Sequence, residues 1–111
     1  MRIHYSPTSL EKLQYIRQNI AERFDEDTAV EIMTRITSAI DLLADDPFLG
    51  VSASAVFGVD TEYRRLFVAH THIFYTVGKD FIRIIDVYHE REDILRKLFG
   101  ISTTEDDEED F

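Results

Sequence analysis

Two clusters of polar side chains in the second half of the chain could do chemistry. They are Tyr63-Arg64-Arg65 and His89-Glu90-Arg91-Glu92-Asp93. Histidine titrates near neutral pH and can act as a general acid or base, whereas arginine binds phosphate or carboxylate groups through two parallel hydrogen bonds. The same residue types also serve structural purposes, as an ion pair at a strand edge or an Arg–Asp pair that fixes a turn. Both interpretations stay open at this stage.

The sequence lacks the residues that several other kinds of functional site require. The chain has no cysteine, which excludes disulfides, thiol catalysis and thiolate zinc sites. It has no Gly-rich phosphate loop, no His-x-x-x-His pair and no serine between elbow glycines. We therefore expect no metal and no cofactor. His70 and His72 flank a predicted hairpin tip, where we expect exposed loop residues.

The charge balance is acidic and uneven. The chain carries 12 Lys and Arg against 22 Asp and Glu, and six of the acids form one block at residues 105–110. Residues 1–60 have a net charge of −5 and residues 61–104 of +1, so an anionic group would bind in the second half. The overall charge of −10 argues against non-specific binding of nucleic acid, which draws most of its affinity from phosphate neutralisation.

The organisation follows from the length and the ends of the chain. We expect one domain at residues 1–100 and an acidic, disordered tail at residues 101–111 that aids solubility. No apolar run is long enough to span a membrane, and the N-terminus lacks the apolar region of a signal peptide. These features predict a cytoplasmic protein.

Apolar periodicity predicts two helices in the first half. After a strand at residues 2–5, apolar residues recur at helical spacing from Leu10 to Phe24 and again from Ala29 to Leu43. Capping boxes are predicted at Thr8 and Thr28, each followed three residues later by a glutamate. The connection is short, so the two helices should form an antiparallel hairpin that ends near residues 46–47.

The pattern changes to strands in the second half. Residues 63–69, 73–77 and 81–88 are rich in β-branched and aromatic side chains and are separated by hairpin-length loops. They predict an antiparallel meander, into which the first strand pairs. A further short strand is predicted near residues 54–57 and a short closing helix at residues 92–99. The predicted fold class is α+β, with the helical hairpin packed on a small antiparallel sheet.

An ordered set of short motifs resembles the RelE/ParE superfamily of toxins of type II toxin–antitoxin systems, the plasmid stabilisation proteins. The motifs are Tyr5-Ser6-Pro7, Leu13-x-Tyr15-Ile16, Ala39-Ile40-x-x-Leu43, Asp46-Pro47-x-x-Gly50, Tyr63-Arg64-Arg65-Leu66, Ile73-Phe74-Tyr75-x-Val77 and Ile84-Ile85-x-Val87-Tyr88-His89-x-Arg91-x-Asp93. The long helical hairpin and the ending His89-x-Arg91-x-Asp93 are closer to ParE than to RelE. The resemblance covers residues 2–99.

The resemblance to ParE implies a toxin that inhibits DNA gyrase by protein–protein contact, has no catalysis of its own and is neutralised by a cognate antitoxin. Exposed apolar residues beside the hairpin, Tyr15 and Phe24, would receive an antitoxin segment that orders on binding. An antitoxin arm rich in Lys and Arg would suit the acidic first half. The remaining candidate contacts with target or partner are Arg64, Arg65, His89, Arg91 and Asp93. Homodimers and hetero-oligomers with the antitoxin are both open.

Two alternatives remain. A RelE-like ribonuclease would cut mRNA on the ribosome, with Arg65 and Arg91 stabilising phosphate charge and His89 transferring the proton. The acidic charge and the absence of Lys and Arg from residues 44–62 count against it. The other alternative is a non-toxic remnant of the toxin fold.

Overall fold

The chain folds into one mixed sheet with a helical hairpin on one of its faces. The computed structural model describes residues 1–102. The elements are β1 (Arg2–Tyr5), α1 (Pro7–Arg23), α2 (Glu26–Asp41), β2 (Val51–Ser52), α3 (Ala53–Phe57), β3 (Arg64–Val68), β4 (Thr71–Val77), β5 (Phe81–His89) and α4 (Ile94–Lys97). The strand order is β1-β5-β4-β3-β2, with β1 parallel to β5 and the other pairs antiparallel. The α+β class, the hairpin, the meander and the closing helix are confirmed. Residues 103–111 of the predicted tail lie outside the described residues.

Both long helices begin before their predicted capping boxes. α1 begins at Pro7, and the Ser6 hydroxyl caps it by accepting a hydrogen bond from an amide of the first turn at 3.0 Å. Proline suits the first helical position because its missing N–H would have no helical partner there. α2 is capped by the Asp25 carboxylate, which accepts from the Thr28 amide at 2.6 Å. The capping boxes at Thr8 and Thr28 are therefore wrong.

Both faces of the sheet are covered, one by long helices and the other by short ones. The hairpin side forms the larger core, whose buried residues are Leu13, Ile36, Ile40, Leu43, Leu66, Ile73, Tyr75, Ile82, Ile84 and Val87. On the opposite face, α3 and α4 bury a smaller cluster of Ala53, Phe74, Tyr88 and Ile94, packed against Phe57, Tyr63, Leu98 and Phe99. The hydrophobic effect thus holds each helix layer to the sheet.

The segment before β3 is helical, so the strand predicted near residues 54–57 is wrong. Gly58 adopts the left-handed conformation, at φ +70°, and its amide donates to the Ser54 carbonyl at 2.9 Å to close the single turn of α3. The Ser54 hydroxyl also donates to the Thr61 carbonyl at 2.9 Å, which ties this turn to the loop before β3. A short sequence of this kind carries no clear periodicity.

A buried hydroxyl fixes the return from α2 to the sheet. The Tyr75 hydroxyl donates to the Pro47 carbonyl at 2.9 Å and accepts from the Gly50 amide at 3.0 Å. Tyr75 is fully buried, so these bonds are made away from water. A Cβ at Gly50 would lie 2.6 Å from the Arg65 carbonyl oxygen and 2.7 Å from the Tyr75 hydroxyl. Only glycine fits this approach of the loop to β3.

Gly50→Ala should destabilise the domain by about 3 kcal/mol, because its methyl group would overlap the backbone of β3 and displace the Tyr75 hydroxyl. Urea unfolding measures the loss. Gly58→Ala is the matched control, since a Cβ there meets nothing within 4 Å and only the left-handed backbone is strained, at about 1 kcal/mol. Equal losses in the two variants would contradict the assignment.

Candidate functional site

A groove of about 860 Å³ separates the helical hairpin from the ends of the central strands. Its apolar wall comes from α1, which contributes Tyr15, Ile16 and Ile20, and from Phe24, the residue that caps the C-terminus of this helix. Tyr15 and Phe24 are 69% and 68% exposed, which is unusual for aromatic side chains that are adjacent to half-buried isoleucines. The structure therefore places the two predicted aromatic contact residues in one concave surface.

The sheet side of the groove carries His89. In the register of β4 and β5, His89 pairs with Thr71, and both residues line the groove. Beside them, the Glu92 carboxylate accepts from the His89 amide at 2.8 Å and pairs with Lys97 at 3.0 Å. Partial burial opposes the charged form of Glu92, but the bond from the His89 amide and the Lys97 ammonium outweigh it and lower its pKa.

Basic groups border the groove as well as apolar ones. Lys12 and Arg23 contribute to its lining from α1. The Lys12 ammonium lies 2.7 Å from the Asp86 carboxylate and 3.7 Å from the centroid of the Tyr88 ring. At the far wall, the His70 imidazole lies 2.8 Å from the Glu90 carboxylate. The groove is thus less acidic than the chain as a whole.

A second cluster lies on the opposite face of the sheet, around Arg65. The Arg65 Nη1 atom is 3.3 Å from His72 Nδ1, and its guanidinium carbon lies 5.2 Å from the Phe67 ring centroid and 5.9 Å from that of Phe57. Arginine can only donate, so Nδ1 of His72 accepts, which requires the neutral imidazole. Burial, and then the charge of Arg65, lower the pKa of His72, while the Glu90 carbonyl and carboxylate oppose them.

The expectation that His72 is an exposed loop residue is wrong. The turn between β3 and β4 is Ala69-His70, both with positive φ, so β4 begins at Thr71 and His72 is a strand residue that is only 7% exposed. His70 is exposed, as expected. Sequence reasoning missed His72 because the hairpin tip lies one residue earlier than predicted, and Ala69 and His70 carry no glycine signal for positive φ.

The two neighbouring arginines of β3 point to opposite faces, as strand alternation predicts. Arg64 donates to the Phe48 and Gly50 carbonyls, and its guanidinium carbon lies 5.0 Å from the Phe48 ring centroid. These contacts tie the loop before β2 to the sheet. Arg64 thus stabilises the loop before β2, whereas Arg65 lies against the rings of Phe57 and Phe67.

The structure does not bring the three candidate ribonuclease residues together. Arg65 pairs with Phe74, a residue of the smaller cluster, so it lies on the face opposite the hairpin. His89 lines the groove on the hairpin side. Arg91 follows β5 in an exposed turn, where its amide donates to His89 Nδ1 at 3.2 Å. An acid–base histidine and two phosphate-binding arginines at one reacting atom would need a shared face.

Asp93 is engaged at the start of α4. Its carboxylate accepts from the Arg96 amide at 3.3 Å and lies 3.5 Å from the Arg96 Nε atom. This is the geometry of an N-cap supported by an ion pair across one helical turn. The structure therefore gives Asp93 a local role in forming α4.

Residues 1–102 contain neither a cluster of metal ligands nor a membrane-spanning helix. In that part of the chain, His, Asp and Glu side chains form no group of three that could hold a metal ion. No helix there is both long and apolar enough to cross a bilayer.

Comparisons with known proteins agree with this architecture. A family profile described as "ParE toxin of type II toxin-antitoxin system, parDE" matches residues 3–94. A solved structure described as the chromosomal ParDE TA system from P. aeruginosa superimposes with a TM-score of 0.68 at 13% sequence identity, covering 80% of this chain and 95% of that one. No curated protein sequence matches. At that identity the structural likeness establishes the fold alone.

The free energy of unfolding should fall between about pH 7.5 and about pH 5.5, partly because of His72. The unfolded chain protonates this histidine near its ordinary pKa of about 6.5, whereas the folded state resists protonation, so below that pH the unfolded state binds more protons. The effect is at most about 1.4 kcal/mol per pH unit. Urea unfolding at both pH values should show a smaller dependence for His72→Gln. Equal slopes would contradict the prediction.

Proposed function

This chain belongs to the family of ParE toxins of type II toxin–antitoxin systems, and from this premise we propose that it inhibits DNA gyrase by protein–protein contact and is neutralised by a cognate antitoxin that docks in the groove. The proposal involves no chemistry at a reacting bond. The observation that carries it is the groove itself, with two exposed aromatic side chains on one wall.

The groove suits a segment that brings apolar anchors. Tyr15 and Phe24 are large, exposed and separated by the last eight residues of α1, so a bound helix or extended segment could bury both. Buried aromatic anchors carry a large share of binding energy at protein interfaces. Arg23 beside them favours an antitoxin segment with a carboxylate at this point, whereas Lys12 is already paired with Asp86. An arm rich in Lys and Arg remains suited to the acidic outer surface of the helices.

The separation of the candidate catalytic residues supports contact inhibition over RNA cleavage. Arg65 and His89 extend from opposite faces of the sheet, and residues 44–62 contain no Lys or Arg that could bind RNA. We propose Arg65 and Arg91 as contacts with gyrase, because neither guanidinium has a carboxylate partner among residues 1–102. His89 is proposed as an antitoxin contact.

Induced expression of this chain without its antitoxin should trigger a DNA-damage response and filamentous growth while cellular mRNA stays intact. The physical reason is that a trapped or blocked gyrase damages DNA without touching RNA. A reporter of the damage response and a primer-extension assay on abundant mRNAs give the two readouts in parallel. Purified toxin should also inhibit supercoiling by purified gyrase.

Other outcomes would contradict this proposal in distinct ways. Rapid arrest of translation with cleaved mRNA, abolished by His89→Gln in a folded variant, would establish the ribonuclease alternative. Absence of any growth defect at a verified expression level would establish the non-toxic remnant. Either result would leave the family assignment untouched.

Tyr15→Ala and Phe24→Ala should each weaken antitoxin binding by at least about 10-fold, because each removes an aromatic anchor from the groove. Calorimetric titration of the purified toxin with its antitoxin measures the effect. Val30→Ala is the matched control, since Val30 is an exposed apolar residue of α2 that does not line the groove. Affinity losses equal to that of the control would contradict the docking site.

A further inference from the structure

The guanidinium of Arg65 lies on the sheet face opposite the hairpin and lacks an acidic partner. Within residues 1–102 its one hydrogen bond is to His72 Nδ1, its Nε atom is buried without a partner, and no ion pair includes it. Partial burial between Phe57 and Phe67 removes some of its hydration and lowers its pKa. A carboxylate that reached this point would gain a charge-assisted hydrogen bond at a partly dehydrated cation.

The end of the described chain lies beside this cluster. After α4, the Phe99 ring packs 6.4 Å from the ring of Phe57, which itself flanks Arg65. Gly100 has a φ of +69°, and the Ile101 amide donates to the Leu95 carbonyl at 2.8 Å, so the chain turns back after the helix. The chain therefore leaves α4 on the same face as Arg65.

Six consecutive acids begin six residues beyond Phe99. An extended chain covers at most about 3.5 Å per residue, so the tether from Phe99 to the first acid has a maximum length of about 20 Å. Tethering at this range gives an effective concentration in the millimolar range, which can populate a contact that is weak between separate molecules. The nearby Arg96 and Lys97 are already paired with Asp93 and Glu92.

We propose that the acidic segment at residues 105–110 binds Arg65 of its own chain and covers the surface formed by Phe57, Arg65 and Phe67. Charge complementarity and tether length select this occupant, because the partly buried guanidinium of Arg65 has no carboxylate partner within residues 1–102 and lies on the face from which the six acids extend. Because several carboxylates can exchange at one guanidinium, the contact needs no single fixed pair. This consequence rests on the proposed function: if Arg65 contacts gyrase, the acidic segment and gyrase compete for the same guanidinium.

Paramagnetic relaxation enhancement tests the contact directly. The chain has no cysteine, so Phe111→Cys gives a single spin-label site next to the acidic block in the full chain. The label should broaden the amide resonances of Phe57 and Phe67 strongly. Replacing all six acids by their amides, or adding 0.5 M NaCl (about a 4 Å Debye length), should reduce this enhancement at least about threefold.

Variants of arginine identify the binding site. Arg65→Gln should reduce the enhancement as much as removing the six acids does, whereas Arg65→Lys should retain part of it. Arg91→Gln is the matched control, because it removes one positive charge from an exposed arginine that precedes α4 and should leave the enhancement unchanged. If Arg65→Gln fails to fold, the amide-substituted segment and Arg91→Gln still decide the question.

Four results would overturn the proposal, and three of them are seen with the labelled chain alone. These three are the absence of broadening at Phe57 and Phe67, broadening that is unaffected by Arg65→Gln in a folded variant, and broadening that Arg91→Gln abolishes. Broadening of an unlabelled ¹⁵N chain by a separate spin-labelled chain would show binding between copies and would also overturn the intrachain contact. These readouts need neither gyrase nor antitoxin, so they stand or fall independently of the proposed function.

Discussion

The burial of β4 on both faces is the constraint on which the structure depends. Its residues from Thr71 to Tyr75 are all buried, although a strand alternates its side chains between two faces. Each face must therefore be covered. The hairpin covers the side of Ile73 and Tyr75, and the short helices with Phe99 cover Phe74. The parts of the sheet that remain open to solvent are consequently the strand ends and the uncovered part of the second face.

A bulge in β5 determines the face of the sheet on which His89 lies. Tyr75 pairs with Ile84, but its neighbour Phe74 pairs with Asp86, so Ile85 is an extra residue in β5. Regular alternation from Ile84 would direct position 86 toward the hairpin and position 89 away from it. With the bulge, Val87 and His89 face the hairpin instead, where Val87 is buried in the larger core. The candidate groove and the Arg65 cluster are thereby separated.

The sequence was informative wherever one local pattern determines the structure. Helical periodicity defined the hairpin, and Tyr15 and Phe24 stood out as apolar residues at its exposed side; both line the groove. Alternation correctly separated Arg64 from Arg65. The sequence did not indicate the environment of His72 or the face of His89, because both depend on pairing between strands. A one-residue shift of the β3–β4 turn and one extra residue in β5 change these orientations without altering the pattern of apolar residues.

The same separation limits how the proposed antitoxin could cover the protein. A segment that only fills the groove would leave Arg65 accessible, since the sheet lies between them. One route between the two surfaces crosses the β3–β4 turn. His70 of the turn lines the groove, while Phe67 and His72, which lie two residues before Ala69 and two residues after His70, belong to the Arg65 cluster. Val68 and Thr71 pair directly at the base of that turn, so at this edge of the sheet only the two-residue turn lies between the surfaces. An antitoxin that continues from the groove over His70 would cover both surfaces with one chain, and would then compete with the proposed acidic occupant for Arg65.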